Sequence, residues 1–451
     1  MINKQNRFAH MLKTKDFIFL ILAFTIPTII RSIPAIISWP YPIGFDTIRY
    51  IAIIQDWAIF SRGVIGFLNG TNLFYVIAAV PYEFTHDATA VVAAFGPILL
   101  GILCLMIYLY ARKALDWQEW KSLLVVILVA VYFVSLRNSW DLYRQTLGLI
   151  FLMATLISLR SFASPRRYYY AVILMVLTVL SHELPTVILF FILGLDLLGY
   201  IRTKSWRQIW PLLISLVFPI AIFLFQRYSP QTGVISLPGD SVAGEPSIGL
   251  ALYMGGFLVY CYLIILPLVL FGITRLKDSF LRNWSILCVT IFLLEMFIPN
   301  LPFYLWYRWV LILVYPLLFF AVEGLEKLWS FSIRHKGCAK RFFIKIVVLS
   351  YVFSLFTLSA FYLSTSPEQA FPYFYQFNPY LSSIPSSMVQ NSLSIQDTPA
   401  LINCFNWLEQ NAPVNAVLIE HYALYDLASI YVRNHTVVPI VQEPSTWSNA
   451  E

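Results

Sequence analysis

The chain has 451 residues, of which 59% are hydrophobic and only 12% are charged. Soluble domains carry about 25% charged residues, so this composition excludes an ordinary soluble enzyme and predicts an all-α polytopic membrane protein. The formal net charge of +7 is accounted for by basic cytoplasmic loops, so no nucleic-acid partner is predicted. Five scattered cysteines without a CxxC pair predict neither a disulfide framework nor a zinc site.

The apolar stretches of the sequence predict about 11 transmembrane helices. A helix needs about 20 apolar residues to cross roughly 30 Å of hydrocarbon. The first stretch lacks a small-residue cleavage site, so we interpret it as a retained helix and not as a signal peptide. The predicted spans are 17–38, 89–111, 122–136, 143–159, 168–182, 184–201, 208–226, 249–273, 283–299, 305–325 and 343–365.

The basic residues predict the orientation of these spans. If the N-terminus is cytoplasmic, 22 of the 30 Lys and Arg residues fall in inner loops. Positively charged loops stay inside, which predicts a multi-pass plasma-membrane protein with its C-terminus outside. The other eight basic residues need a separate explanation, and they are Arg31, Arg49, Arg62, Arg137, Arg144, Arg227, Arg308 and Arg433.

The first outer loop, 39–88, is predicted to be much longer than the others. It contains an amphipathic stretch near 47–62 and a short apolar stretch at 73–84. The second is only about 18 Å long as a helix, which is too short to cross. We therefore expect both to be helices that lie along the outer membrane surface.

The sequence divides into a transmembrane domain, 1–365, and a small extracytoplasmic α/β unit, 366–451. The apolar runs stop after the last span, and a helix near 399–411 is followed by two strand-like stretches, NAVLIEH and TVVPIV. The sequence stops abruptly in this unit, so we expect that the unit need not be complete at residue 451.

Asp46 is the first candidate for chemistry, in the stretch YPIGFDTIRY, with Arg49 and Tyr50 about one helical turn on. Aspartate is a favourable N-cap residue, which is one explanation for its position before an amphipathic helix. A carboxylate at the membrane surface can also accept a proton from an incoming nucleophile. One role does not exclude the other.

Two further outer turns carry polar residues. In LRNSWDLYRQ, Arg137 and Asp141 are spaced for a salt bridge, whereas Arg144 lies inside a span, where charges are usually functional. We predict that Arg144 and Arg137 contact a phosphate. In LSHELPT, His182 and Glu183 form either a helix cap or a catalytic pair.

Arg308 lies at the outer start of a span between Tyr307 and Trp309. We predict that Tyr307, Arg49 and Tyr50 also contact the substrate. It is either an interfacial anchor within an aromatic belt or a forked donor to phosphate oxygens. Because outer arginines are so scarce, we favour the phosphate ligand. A carboxylate and several arginines at bilayer-surface depth suit a polyprenyl-phosphate sugar, with arginines on the phosphate and Asp46 activating the acceptor hydroxyl.

In plan and in short motifs, residues 1–365 resemble the GT-C superfamily of integral-membrane glycosyltransferases, which includes protein O-mannosyltransferases and aminoarabinose transferases. GFDTIRY resembles the segment that holds the family's catalytic acid, here Asp46. YRWVLILVYP resembles its donor-phosphate contact, here Arg308. NWLEQNAPVNAVLIEH resembles the outer domain of some members. Two departures are the single acid in the loop and the short C-terminal unit.

The resemblance implies transfer of a sugar from a polyprenyl-phosphate donor to a hydroxyl of a glycan, lipid or protein acceptor outside the cytoplasm. It leaves open whether a cofactor is needed; a divalent cation, Mg or Mn, would be held by Asp46, His182 and Glu183. The proposed roles also require that Asp46 and Arg308 face one shared cavity.

Two other functions remain open. LYRQTLGLIF followed by LSHELPTVI resembles the arginine-and-histidine pattern of exopolysaccharide polymerases, which join lipid-linked oligosaccharides. In that case Arg144 and His182 would lead and Asp46 would be secondary. The other function is a lipid-linked sugar flippase or transporter, which would be expected to carry polar residues and helix breaks at the bilayer midplane.

Overall fold

The computed structural model describes residues 14–56, 63–161, 167–228, 248–297, 306–334, 338–364 and 397–440. Most of these residues are helical, and a two-stranded sheet lies near the C-terminal end. The helices of the first half are α1 (Thr14–Ser38), α2 (Phe45–Asp56), α3 (Gly63–Leu68), α4 (Leu73–Thr85), α5 (Ala88–Lys113), α6 (Glu119–Val131), α7 (Phe133–Asp141), α8 (Tyr143–Ser161), α9 (Arg167–Ser181) and α10 (Glu183–Arg202).

The second half continues in the same way up to the C-terminal unit. Its elements are α11 (Trp206–Tyr228), α12 (Ile248–Tyr262), α13 (Leu266–Ile273), α14 (Ser279–Phe297), α15 (Trp306–Ile312), α16 (Val314–Arg334), α17 (Cys338–Ser364), α18 (Thr398–Asn411), β1 (Val417–His421), α19 (Tyr422–Tyr431) and β2 (Thr436–Ile440).

Each predicted span coincides with a helix or a pair of helices, which confirms an all-α polytopic membrane protein. Within the described residues, six helices are long and apolar enough to cross, or eight if each of two bent pairs is one span. The helices at 143–161, 167–181 and 338–364 fall outside that count. Eleven crossings therefore stays a prediction.

Two predicted straight spans are in fact broken. The helices α6 and α7 meet at a bend of 66°, and the pair Met254–Tyr262 and Leu266–Ile273 at a bend of 78°. Pro267, near the start of α13, lacks an N–H group and so favours the second break. The first break turns the predicted outer turn around Arg137 into a helix in which every residue is buried.

In its described residues, the predicted first outer loop contains three short helices, α2, α3 and α4. The helix α4 buries Phe74, Tyr75 and Ala78 against the bundle. Tyr50 of α2 is 3% exposed, and its ring lies 4.9 Å from the Phe74 ring and 5.4 Å from the Tyr143 ring. These aromatic contacts fix α2 against the spans, so the loop presents Asp46 from a packed helix.

The span 306–331 lies at the centre of the bundle, because 89% of the residues in its most apolar segment are buried. Its first helix, α15, is tied to α7 by Asn138, whose Nδ2 donates to the Leu311 carbonyl at 2.8 Å. Gln145 Nε2 donates to Asn138 Oδ1 at 3.0 Å. The two helices that carry Asp141 and Arg308 are thereby joined through buried polar contacts. We call this end of the bundle, which also holds Asp46, the outer end, after its predicted orientation.

The C-terminal unit contains the predicted helix and strands, and its two strands pair in parallel. The sequence did not predict the intervening helix α19. This unit packs on α2: Ile48 contacts its small core, and Arg433 Nη2 donates to Gln55 Oε1 at 2.9 Å. The placement of the unit outside the membrane stays a prediction.

Candidate active site

Asp46 and Arg308 lie together at the outer end, although 262 positions separate them in the chain. The Arg308 Nη2 donates to the Asp46 Oδ2 at 3.4 Å, and the two side chains are 16% and 36% exposed. Asp46 lies in the first turn of α2, where the helix dipole favours a negative charge. The two residues therefore lie close together, as a shared site requires, whereas a cavity that both face and their roles in catalysis stay predictions.

Gly44 shapes the turn that leads into Asp46. Its φ is +102°, a conformation that side chains with a Cβ rarely adopt. A Cβ there would also lie 2.6 Å from the Asp141 Cβ and 3.3 Å from the Trp140 Cδ1. The turn therefore packs directly against the end of α7, so the position of Asp46 depends on that of Asp141.

Asp141 and Arg137 form the predicted salt bridge, with Oδ1 and Nη1 2.5 Å apart and side chains 1% and 3% exposed. A buried carboxylate and a buried guanidinium are tolerated together because each neutralises the other. Asp141 thus brings a second carboxylate close to Asp46. The structure gives Arg137 a protein partner, and its predicted contact with a phosphate stays untested.

Arg144 and Arg308 each keep a buried Nε without a hydrogen-bond partner in the described structure. The Arg144 Cζ lies 5.6 Å from the centre of the Tyr75 ring. A buried N–H group without a partner is costly, so such donors favour an anionic ligand that accepts their hydrogen bonds. The two guanidiniums thus supply the donors that a phosphate group requires.

His182 caps α10, one of the two roles that the sequence left open. Its Nδ1 accepts a hydrogen bond from the Leu184 backbone N–H at 3.1 Å. Because Nδ1 accepts this hydrogen bond, the imidazole is neutral and carries its proton on Nε2.

Glu183 follows at the first position of α10, close enough for its charge to interact with those of Arg144, Arg227 and Arg308. Its part in catalysis stays a prediction.

Three other predicted binding residues have different surroundings. Tyr50 belongs to the packed aromatic cluster, where burial raises the pKa of its hydroxyl well above the usual range. Arg49 is exposed, and its charge interacts with Asp426 of α19. Tyr307 precedes Arg308, and its ring centre lies 6.1 Å from that of Trp306.

Burial raises the pKa of the Asp46 carboxyl, and the Arg308 guanidinium opposes this rise. Asp141 raises it further, whereas Arg144 and Arg137 lower it. The carboxylate is therefore a better proton acceptor than a freely solvated aspartate, and the arginines limit the effect.

The predicted metal ligands do not form a metal site. Among the described residues, no three His, Cys, Asp or Glu side chains lie close enough together to hold a metal ion. The His182 Nδ1 accepts from a backbone N–H group, and Asp46 is paired with Arg308. Asp46, His182 and Glu183 therefore form no preassembled cation site among the described residues. No step below involves a cation, and the need for one stays a prediction.

No family model matches the sequence, and no curated protein sequence matches it. A solved structure, the Archaeoglobus fulgidus oligosaccharyltransferase in complex with Zn and sulfate, matches with a TM-score of 0.54 and 13% sequence identity. The match covers 94% of this chain and 62% of the other, so this chain spans less than two thirds of its structural neighbour. This chain has a GT-C fold. The resemblance seen in the sequence is confirmed at the level of the fold.

The GT-C fold brings together most of the residues that the sequence singled out. Asp46, Arg308, Arg144 and His182 all interact at the outer end, as do Glu183 and Arg137. Two residues that support the site, Arg31 and Asp141, were not predicted to do so. Arg31 is nevertheless one of the eight arginines outside the loops that are predicted to be cytoplasmic.

Proposed function

We propose that this chain is a membrane glycosyltransferase that moves a sugar from a polyprenyl-phosphate donor to an acceptor hydroxyl on the outer face of the plasma membrane. The observation that carries the proposal is the contact between Asp46 and Arg308. A carboxylate that can accept a proton and a guanidinium that can bind a phosphate lie side by side in a GT-C fold. These are the two groups that such a transfer needs most.

In the proposed reaction, the acceptor oxygen attacks the anomeric carbon while the bond from that carbon to the phosphate oxygen breaks. The electron pair of that bond goes to the phosphate, and the acceptor proton goes to Asp46. Arg308 and Arg144 stabilise the charge that builds on the phosphate. Because an alcohol is far too weak an acid to ionise beforehand, Asp46 acts as the bond forms.

The length of the contact between Asp46 and Arg308 supports a pair that separates easily. At 3.4 Å it is longer than the roughly 2.7–2.9 Å of a strong charge-assisted hydrogen bond. The donor phosphate and Asp46 are both anions that suit the same guanidinium, so the donor competes with Asp46. Donor binding thus releases the carboxylate to accept the proton, which couples the order of binding to activation of the base.

The proposal is tested with the full chain in lipid nanodiscs and a panel of polyprenyl-phosphate hexoses and pentoses. Asp46→Asn should abolish release of polyprenyl phosphate, and Arg308→Ala should weaken donor binding. Arg202→Ala is the matched control, because this exposed arginine lies at the far end of α10. Normal turnover by Asp46→Asn with any donor that wild type uses would refute Asp46 as the base.

A polymerase that joins lipid-linked oligosaccharides is the second candidate. It is favoured by one observation: among the described residues, Arg144 keeps a buried Nε without a hydrogen-bond partner and lies near enough to His182 to interact with it electrostatically. If Arg144→Ala and His182→Ala lost all activity while Asp46→Asn kept it, this candidate would replace the first.

A further inference from the structure

An apolar groove opens on the side of the bundle where α13 follows the 78° bend. Its cavity is about 510 Å³, within the size range of small-molecule and lipid sites. Five apolar residues line it, together with the polar Thr274 and Lys327. The apolar residues are Leu263, Leu266, Pro267, Leu270 and Phe271.

The shape of the groove is fixed by a close helix crossing behind it. A Cβ on Gly272 would lie 1.8 Å from the Phe320 carbonyl oxygen, and a Cβ on Gly324 would lie 1.9 Å from the Leu268 carbonyl oxygen. Only glycines allow the backbones of α13 and α16 to touch in this way. The groove is therefore formed before any ligand enters, which reduces the cost of binding.

One end of the groove is cationic. The Lys327 Nζ donates to the Thr274 Oγ1 at 3.2 Å and lies 5.7 Å from the centre of the Phe271 ring. An ammonium group has three N–H donors, so others remain for a ligand. In the described part of the chain no carboxylate lies within ion-pair distance of Lys327, whereas the nearby Glu323 and Glu326 pair with Arg275 and Lys121.

The groove lies at the opposite end of the bundle from Asp46 and Arg308. Lys327 follows Arg308 by 19 positions along the span that α15 and α16 form together. At helical rise this is about 28 Å, which is close to the thickness of the hydrocarbon layer. Basic residues gather at this end, which predicts the cytoplasmic leaflet. The groove is thus separate from the proposed active site.

We propose that this groove binds an anionic phospholipid of the cytoplasmic leaflet. An acyl chain lies along Leu263, Leu266 and Leu270, and the phosphate contacts the Lys327 ammonium. The exposed apolar side chains provide the surface for the acyl chain. The Lys327 ammonium, which has no carboxylate partner among the described residues, favours an anionic headgroup.

Native mass spectrometry of the full chain, released from nanodiscs of equal phosphatidylglycerol and phosphatidylcholine, tests the proposal. Wild type should retain one phosphatidylglycerol with at least about tenfold preference. Lys327→Glu should remove that preference, and Leu270→Trp, which fills the groove at a 60% exposed position, should remove the bound lipid. Both changes are at exposed positions, and size-exclusion elution checks the fold.

Lys345→Glu is the matched control, because the Lys345 Nζ also lies beside an aromatic ring, 5.9 Å from the centre of Trp329. It should retain phosphatidylglycerol as wild type does. An equal loss in this variant would show attraction to general positive charge and would overturn the proposal. So would equal retention of the two lipids by wild type, or unchanged retention by Leu270→Trp.

Discussion

Arg31 and Trp140 join the first span to the short helix that ends at Asp141. The Arg31 Nη2 donates to the Trp140 carbonyl at 2.9 Å, and its Cζ lies 4.8 Å from the centre of the indole ring. Its Nε also donates to the Ser139 carbonyl at 3.2 Å. A cation at the last carbonyls of a helix satisfies acceptors that have no partner within the helix. Arg31 therefore supports α7, on which the turn before Asp46 rests.

Replacing Arg31 should destabilise the protein and displace the site. Arg31→Met removes a buried cation from two carbonyls and should cost about 3 kcal/mol, since hydrogen bonds to charged groups each contribute about 1.5–3 kcal/mol. The stability of Arg31→Lys should lie between those of wild type and Arg31→Met, because a single ammonium group replaces the forked guanidinium. Thermal unfolding in detergent measures both. A melting temperature unchanged in Arg31→Met would contradict the role.

The pair of Arg137 and Asp141 should show strong coupling in stability. Asp141→Ala leaves a buried guanidinium without its carboxylate and should cost about 3–5 kcal/mol, whereas an apolar replacement of both residues is often neutral. We therefore expect Arg137→Met with Asp141→Leu to unfold close to the wild-type temperature. If the double variant were as unstable as the two single variants combined, the two charges would not depend on each other.

His182 should tolerate asparagine but not alanine. Asparagine is a good N-cap residue and can accept the Leu184 N–H bond, whereas the loss of a cap to alanine costs about 0.5–2 kcal/mol. His182→Asn should thus keep both stability and transfer, and His182→Ala should lower the melting temperature. Loss of transfer in a stable His182→Asn variant would instead assign the imidazole a catalytic role.

The pH dependence of transfer should report the surroundings of Asp46. The base must be ionised, so activity falls as pH drops through its pKa, which burial raises above the usual range. Arg308→Gln removes a positive charge and should move this acid limb to higher pH. Asp141→Asn removes a negative charge and should move it to lower pH. The two midpoints are read from pH–rate profiles at saturating donor, and a shift of both in one direction would exclude Asp46 as the titrating group.

Much of the architecture could be predicted because hydropathy and basic loops are local signals. The apolar runs predicted the spans. The scarcity of arginines in the predicted outer segments pointed to Arg308, and a charge inside a span pointed to Arg144. Asp46 was found because a carboxylate stands out beside a span. These signals need no knowledge of which helices touch.

The features that the sequence did not predict depend on contacts between distant segments. The bend at the start of α7 buries Arg137 and Asp141, which a straight span would have left at an outer turn. From the sequence, Tyr50 was expected to be available to a ligand, but aromatic residues of α4 and α8 pack against its ring. Helix α19 was missed because it is short and lies between two strands.

Asp46→Asn should bind a polyprenyl phosphate more tightly than wild type even though it cannot transfer sugar. The neutral amide no longer competes with phosphate for Arg308, nor does it repel the anion. A partly exposed pair of this kind contributes about 0.2–1 kcal/mol, which corresponds to a dissociation constant lower by about 1.4- to 5-fold. Titration of the full chain in nanodiscs with polyprenyl phosphate measures it. Asp426→Asn is the control, since it removes one nearby negative charge without freeing Arg308. An equal gain in that variant would assign the effect to general charge, and a loss of affinity in Asp46→Asn would show that Asp46 and the donor phosphate do not compete for the same guanidinium.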